Sequence, residues 1–275
     1  MRGDVIAGYR LGRSLGRGST GTVLEARRDH DGAVVAIKLL RGELGDDRRY
    51  AERFEREAWI AIDADHPNLV PVLDAGRHSG QLYLVAELMP GGSLRDLVSQ
   101  GPLTLDEAAR VVLQIGTGLE YLHQLGIVHR DVKPSNVVFD AAGTARLTDF
   151  GLAKHQASVV LTRTGQVLGT PAYMAPELVE GAEATAASDH YALACTAFEC
   201  VTGRPPFYRG TIMQIAVDQV CSPPPDPLSL RADISRSMVE LLLAGLAKPA
   251  ADRPPSPVAW GESMVRSATG SPATM

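Results

Sequence analysis

Lysine is scarce in this sequence: Lys38, Lys133, Lys154 and Lys248 are the only four among 27 basic residues. Cysteine is scarcer, with Cys195, Cys200 and Cys221 alone. They are odd in number and form no C-x-x-C pair, which points to buried, reduced core thiols in a reducing cytoplasm rather than to a metal or redox role. No run approaches the roughly 18 apolar residues of a membrane span. The richest stretch, 238–247, is broken by Glu240. The N-terminus, Met1-Arg2-Gly3-Asp4, leads into no apolar core of the signal-peptide kind. Positive charge is not in excess, the net charge being -5, which argues against a nucleic-acid binder. Glycine (27) and proline (18) are too few among 275 residues for a low-complexity or collagen-like chain, and no internal repeat is present.

What remains is ordinary globular composition in a chain longer than the usual single domain, so one large or two medium lobes are expected. The first 89 residues read as strands around one helix. Segments 10–15 and 22–27 form a hairpin across a Gly-rich turn, 34–40 is a β-branched strand, and 82–85 is a further short strand. Between them, 48–63 carries Phe54, Ala58, Ala61 and Ile62 at helical spacing. After Pro90-Gly91-Gly92 the chain reads as helical. Thr104 and Glu107 form a capping box opening a helix to Leu125. Segment 188–201 is a second helix, closed by Gly203 and Pro205-Pro206, and 234–247 is a third. Pro223-Pro224-Pro225-Asp226-Pro227 is a rigid connector. Residues 267–275 read as a flexible tail or the start of a linker.

Four places carry chemistry. Gly16-Arg17-Gly18-Ser19-Thr20-Gly21-Thr22-Val23 is G-x-G-x-x-G-x-V, whose glycines let backbone N–H groups approach phosphates. Its place between two strands disfavours a dinucleotide fold. Val35-Ala36-Ile37-Lys38 puts Lys38 on a face shared with Val34 and Ala36, and Glu57 in the following helix is a carboxylate able to pair with it. His129-Arg130-Asp131-Val132-Lys133-Pro134-Ser135-Asn136 is the densest polar cluster. There Asp131 can accept a hydroxyl proton, Asn136 can hold a metal ion, and Lys133 adds charge at a transferred phosphoryl. Asp149-Phe150-Gly151 supplies a hard carboxylate for Mg²⁺, and Gly169-Thr170-Pro171-Ala172-Tyr173-Met174-Ala175-Pro176-Glu177 closes the segment.

In that order and spacing these motifs resemble the signature set of the eukaryotic-like Ser/Thr protein kinases common in bacteria. The resemblance covers roughly residues 9–266. It implies an α+β, two-lobed protein-kinase-like fold. Residues 9–86 would form a small N-terminal lobe of antiparallel sheet plus one helix and 87–90 the hinge. Residues 91–266 would be a larger, mainly helical lobe, with an ATP cleft between the two. By position, Lys38 would bind the α- and β-phosphates and pair with Glu57. Asp131 would be the catalytic base, Lys133 would contact the γ-phosphate, and Asn136 and Asp149 would hold Mg²⁺, with Mn²⁺ as an alternative ion. Leu15, Gly16, Arg17, Gly18, Ser19, Gly21, Val23 and Ala36 would surround ATP with Val138, and the backbone of Glu87 and Met89 would receive adenine. Glu177 resembles a structural carboxylate paired with Arg253, and Asp189 the residue bracing the catalytic loop.

The implied activity is transfer of the γ-phosphoryl of ATP to Ser and Thr hydroxyls of proteins in bacterial signalling. A pseudokinase acting as scaffold or nucleotide sensor competes with that reading, but no catalytic residue is missing. A small-molecule phosphotransferase is disfavoured by the peptide-holding segment 169–177. The resemblance extends to partners: protein substrates, a homodimer through the N-lobe and phosphothreonine-reading domains, without nucleic acid or membrane insertion by this segment. It also implies a cytoplasmic location, on its own or as the cytoplasmic domain of a membrane-anchored kinase. Arg130 before Asp131 marks enzymes switched on by loop phosphate. Segment 150–176 holds no Asp or Glu, and Thr162 and Thr164 are its expected autophosphorylation sites. Two positions depart from commoner choices. Ala86, at the gatekeeper position, and Ala61, one turn after Glu57, are both small.

Overall fold

Two segments of the chain fold as separate units, Met1–Pro90 and Gly91–Met275. The computed structural model describes residues 5–18, 20–42, 48–149 and 171–270. In the first unit six strands form one antiparallel sheet: β1 (Val5–Ile6), β2 (Tyr9–Arg17), β3 (Gly21–Arg28), β4 (Val34–Leu40), β5 (Val72–His78) and β6 (Gln81–Glu87), in the order β1-β2-β3-β4-β6-β5. Helix α1 (Arg48–Asp63) packs against β5. Strand alternation sorts the side chains. Leu24, Ala26, Val35, Ile37, Tyr83 and Val85 join Tyr9 and Leu11 in one buried cluster on one face. Ala36 and Lys38, out of phase with them, lie on the other. The strands expected at 10–15, 22–27 and 82–85 are present and longer. β1 and β5 escape sequence reading, the first because it is two residues long, the second because glycine and charge dilute its pattern.

The second unit is built on helices. α2 (Leu94–Val98) is capped by Ser93, and α3 (Leu105–Gln124) by Thr104. In the box expected at Thr104, the hydroxyl accepts from Glu107 N at 3.2 Å and Glu107 Oε2 from Thr104 N at 3.0 Å. Ala108, Val112, Ile115, Leu119 and Leu122 bury one stripe of α3. A short hairpin, β7 (Val137–Phe139) and β8 (Ala145–Leu147), follows. Then come α4 (Pro176–Val179), α5 (Ala186–Thr202), α6 (Ile212–Cys221), α7 (Arg236–Gly245) and α8 (Pro257–Ala268). In α5 every residue from 188 to 201 is buried, so it is the central helix of the unit. α3 and α8 approach closely because glycines face the neighbour on both. A Cβ at Gly116 would stand 2.8 Å from Pro257 O, and one at Gly261 2.8 Å from Leu113 Cα.

Three expectations need correction. The tail placed at 267 begins later, because α8 runs through Ala268; residues 271–275 lie outside the described residues. The helix expected over 234–247 is shorter, since the Ser235 hydroxyl caps its start by accepting from Met238 N. Cys195 and Cys200 are buried core thiols as expected, whereas Cys221, at the end of α6, is exposed. No described helix is long and apolar enough to cross a membrane.

Candidate active site

The first unit places Val23, Ala36 and Lys38, three of the expected nucleotide residues, on one face of its sheet. Register pairs Gly16 with Val23, Val23 with Lys38 and Lys38 with Leu84, while the next row pairs Ala36 with Ala86 and Ala86 with Val72. Paired residues in an antiparallel ladder point to the same side, so Val23, Ala36, Lys38 and Ala86 share a face. Arg17 pairs with Thr22, out of phase with Val23, and so points to the other face. The turn after Arg17 is closed by Gly18 N donating to Gly21 O at 2.9 Å. Its glycines differ in kind. A Cβ at Gly21 would strike Leu39 O at 2.1 Å, so packing demands glycine there; Cβ atoms at Gly16 and Gly18 would meet nothing within 4 Å. Ser19 lies outside the described residues. Leu15 is exposed near the end of β2, Glu57 lies half-buried in α1, and Glu87 ends β6 with its N–H given to Pro71 O at 3.0 Å. Met89 follows in irregular chain.

The second unit gathers Asp131, Lys133 and Asn136. Asn136 Nδ2 donates to Asp131 O and to Asp131 Oδ2, both at 2.8 Å, and Lys133 Nζ lies 2.9 Å from the same Oδ2. A 3₁₀ turn, Pro134–Asn136, makes this possible by returning the chain toward Asp131. With its nitrogen committed to Asp131, Asn136 presents its amide oxygen elsewhere. Thr148 N donates to Asn136 O at 2.9 Å, which ties the loop to the end of the β7–β8 hairpin where Asp149 follows. Val138, on β7, bridges to Ser93.

Beneath the loop lies Asp189, 1% exposed. Its carboxylate accepts from His129 N at 2.7 Å and Arg130 N at 2.8 Å, and lies 2.9 Å from His123 Nε2. These bonds hold Arg130 in the left-handed region, φ 67°; Asp149, at φ 63°, is there too. Non-glycine residues in that region carry strain of about 1–3 kcal/mol each and cluster where function dictates backbone. The buried His129 ring is neutral. Asp131 N donates to its Nδ1 at 3.2 Å, and Thr148 O stands 3.0 Å from its Nε2. A backbone N–H needs an acceptor and a carbonyl needs a donor, so the proton resides on Nε2. Burial also pushes the imidazole pKa below its ordinary value.

Glu177 and Arg253 form the expected pair, with two bonds of 2.7 Å. The guanidinium also donates to Ala187 O, Ala247 O and Lys248 O, each at 2.9 Å. Sequence reading missed two neighbours. Glu199, whose signal is a lone carboxylate within the apolar run of α5, receives Tyr173 and Arg95. Gln219, fully buried, donates to Pro171 O at 2.9 Å, and its own carbonyl accepts from Lys248 Nζ at 2.6 Å; nothing in the sequence marks it. Phe150, Thr162 and Thr164 lie outside the described residues.

Among the described residues no three His, Cys, Asp or Glu side chains form a ready metal cage. That suits Mg²⁺, which keeps several waters and binds through one or two carboxylates plus substrate phosphates. Asp149 and the free amide oxygen of Asn136 are hard oxygen donors of that kind.

The family described as "Protein kinase domain" matches residues 9–260. The chain is 38% identical over 253 residues to Serine/threonine-protein kinase PknD of Mycobacterium tuberculosis, covering 91% of this chain and 38% of that protein. It is 37% identical over 252 residues to PknH of the same organism, covering 91% and 40%. This chain therefore spans well under half the length of these curated relatives. The crystal structure of the M. tuberculosis PknI kinase domain matches with a TM-score of 0.79 at 29% identity, covering 98% of this chain and 99% of that one.

Proposed function

We propose that this chain, which belongs to the protein kinase family and is a bacterial eukaryotic-like Ser/Thr kinase catalytic domain, transfers the γ-phosphoryl of ATP to Ser and Thr hydroxyls of proteins, including its own loop. The observation that carries this reading is the knot at Asp131, one carboxylate oxygen held between Asn136 Nδ2 and Lys133 Nζ on a loop braced by Asp189. Asp131 accepts the hydroxyl proton as the acceptor oxygen bonds to phosphorus and the bond to the β-phosphate oxygen breaks, releasing ADP. The Lys133 ammonium offsets charge on the transferred group. Lys38, oriented by Glu57, holds the α- and β-phosphates, and the open space at Gly16 and Gly18 lets backbone N–H groups approach the triphosphate. Asn136 and Asp149 would hold the divalent ion, Mg²⁺ or Mn²⁺, which would neutralise phosphate charge. The backbone of Glu87 and Met89 is assigned to adenine, and Leu15, Val23, Ala36 and Val138 are the side chains assigned to contact it.

The whole protein's substrates and partners are part of the same proposal: protein substrates, a homodimer through the N-terminal unit and phosphothreonine-reading domains, acting in the cytoplasm. The test is transfer from labelled ATP to a generic basic protein. Asp131→Asn should bind ATP normally and lose roughly 10²–10⁴ in rate, and Lys38→Met should be silent. Near-wild-type transfer by either variant would overturn the assigned roles. Absence of transfer by the parent chain under conditions where it binds ATP favours the nucleotide sensor.

A further inference from the structure

The turn between α5 and α6 carries Gly203-Arg204-Pro205-Pro206-Phe207-Tyr208-Arg209-Gly210. Two guanidiniums converge there on one phenol oxygen. Arg204 Nη1 and Arg209 Nε each donate to Tyr208 Oη at 2.8 Å, and both stand 5.4 Å from the centre of its ring. Neither arginine has a carboxylate partner among the described residues. Like charges gathered without a counter-ion repel, and Arg is commonly found beside a carboxylate or phosphate that takes its planar fork of donors. The Tyr208 oxygen accepts from both arginines, so its own O–H remains to donate. Most N–H groups of both arginines are likewise uncommitted, so these three side chains present donors. The phenol pKa lies below its ordinary value, chiefly through the bond from Arg209.

The turn is pinned as well as charged. The Thr202 hydroxyl lies 2.7 Å from Phe198 O and 3.0 Å from Arg204 O. Pro205 and Pro206 fix their φ angles, and Phe207 is buried with Lys248 Nζ 4.2 Å from its ring centre. Tyr208 and Arg209 are exposed. Held on this pinned turn, with Arg204 partly exposed beside them, these side chains can meet an anion.

We infer that Arg204, Tyr208 and Arg209 form a recognition site for a phosphate monoester, through which the domain holds proteins that already carry a phosphorylated Ser or Thr. That the phosphate belongs to a kinase product rests on the proposed function; the binding itself does not. The site shares no residue with the Asp131 cluster, and it favours substrates phosphorylated at a second position.

Calorimetric titration tests this with a blocked phosphothreonine tripeptide, its unphosphorylated and glutamate forms, and inorganic phosphate. The phosphopeptide should bind at least about 10-fold tighter than the other two peptides, as charged hydrogen bonds predict. Its affinity should fall by a similar factor in Arg204→Gln and in Arg209→Gln, and by less in Tyr208→Phe, which keeps the ring. Displacement of the peptide by inorganic phosphate at equal affinity would assign the site to the free anion, and tighter peptide binding to phosphoproteins. Asp131→Asn should bind the phosphopeptide unchanged, so failed transfer and failed phosphate binding are told apart. Equal affinity for phosphorylated and unphosphorylated peptide, or unchanged phosphopeptide affinity in the Arg204→Gln, Arg209→Gln double variant, would overturn the inference.

Discussion

His190 Nε2 is the one buried side-chain nitrogen or oxygen among the described residues without a hydrogen-bond partner. Its ring packs 5.0 Å from that of Trp260. Burial, with Arg253 and His123 adding, pushes its pKa down to about 4. An imidazole takes up its proton near pH 6.5 in the unfolded chain. Protonation therefore favours unfolding as pH falls from about 6.5 to about 4, after which both states carry the proton and the loss levels off. The slope is at most about 1.4 kcal/mol per pH unit. His190→Phe should keep the ring and remove this term, so its Tm advantage over the parent should widen from pH 7 to pH 4. Parallel Tm curves would assign the acid sensitivity elsewhere. Ala86 is a second residue whose size matters. Its row across the sheet holds Ala36 and Val72, and Ala61 is buried in α1. Inhibitors of the nucleotide site carrying a bulky aromatic group aimed past Ala86 should bind the natural chain. Ala86→Met should weaken them while the KM for ATP stays similar. Equal inhibitor Kd in the two proteins would mean that other side chains close the passage.

At the scale of elements, the second unit is tied together by α5. Its N-terminal end supplies Asp189 to the catalytic loop, and its C-terminal end supplies Glu199 to Tyr173. The Arg253 guanidinium joins α4 to the start of α5 and to the chain after α7 through Glu177 and three carbonyls. Arg253→Met strands a carboxylate and these carbonyls, and such losses in buried pairs cost about 3–5 kcal/mol. Arg253→Lys should recover only part, since an ammonium lacks the planar fork. Denaturant unfolding of the three proteins gives the order, and a Lys variant as stable as the parent would show that charge alone suffices.

For the whole molecule, the expected switch is a phosphate on segment 150–176. Arg130 is held by Asp189 beside Asp131, the proposed catalytic base, while segment 150–176 contributes no carboxylate to repel an incoming phosphate. A phosphothreonine adds about -1.5 to -2 charge, which Arg130 can receive. Thr162→Ala with Thr164→Ala should therefore lower transfer substantially while the fold's Tm is kept. Mass spectrometry of active protein should find phosphate on these residues; fully active protein with both threonines unmodified would contradict the switch.

Residue order alone pointed to the chemistry. The G-x-G-x-x-G-x-V turn, Lys38, the Asp131 to Asn136 spacing and Asp149 are local patterns, and local spacing is what a linear sequence preserves. Caps were legible for the same reason: Thr104 and Glu107 are three residues apart and bond as expected. The resemblance also implied two distant links, Asp189 to the loop and Glu177 to Arg253, but tertiary structure alone gave their geometry and the distant contacts that no motif announces. Asp189 reaches His129 across 60 positions, and Gln219 reaches Pro171 across 48. Cys221 is exposed because α6 buries only Ala216 and Gln219, although its composition resembles that of a core helix. Arg204 and Arg209 read as ordinary surface charge in the sequence. Only the fixed turn through Pro205, Pro206 and buried Phe207 brings both guanidiniums onto one phenol oxygen.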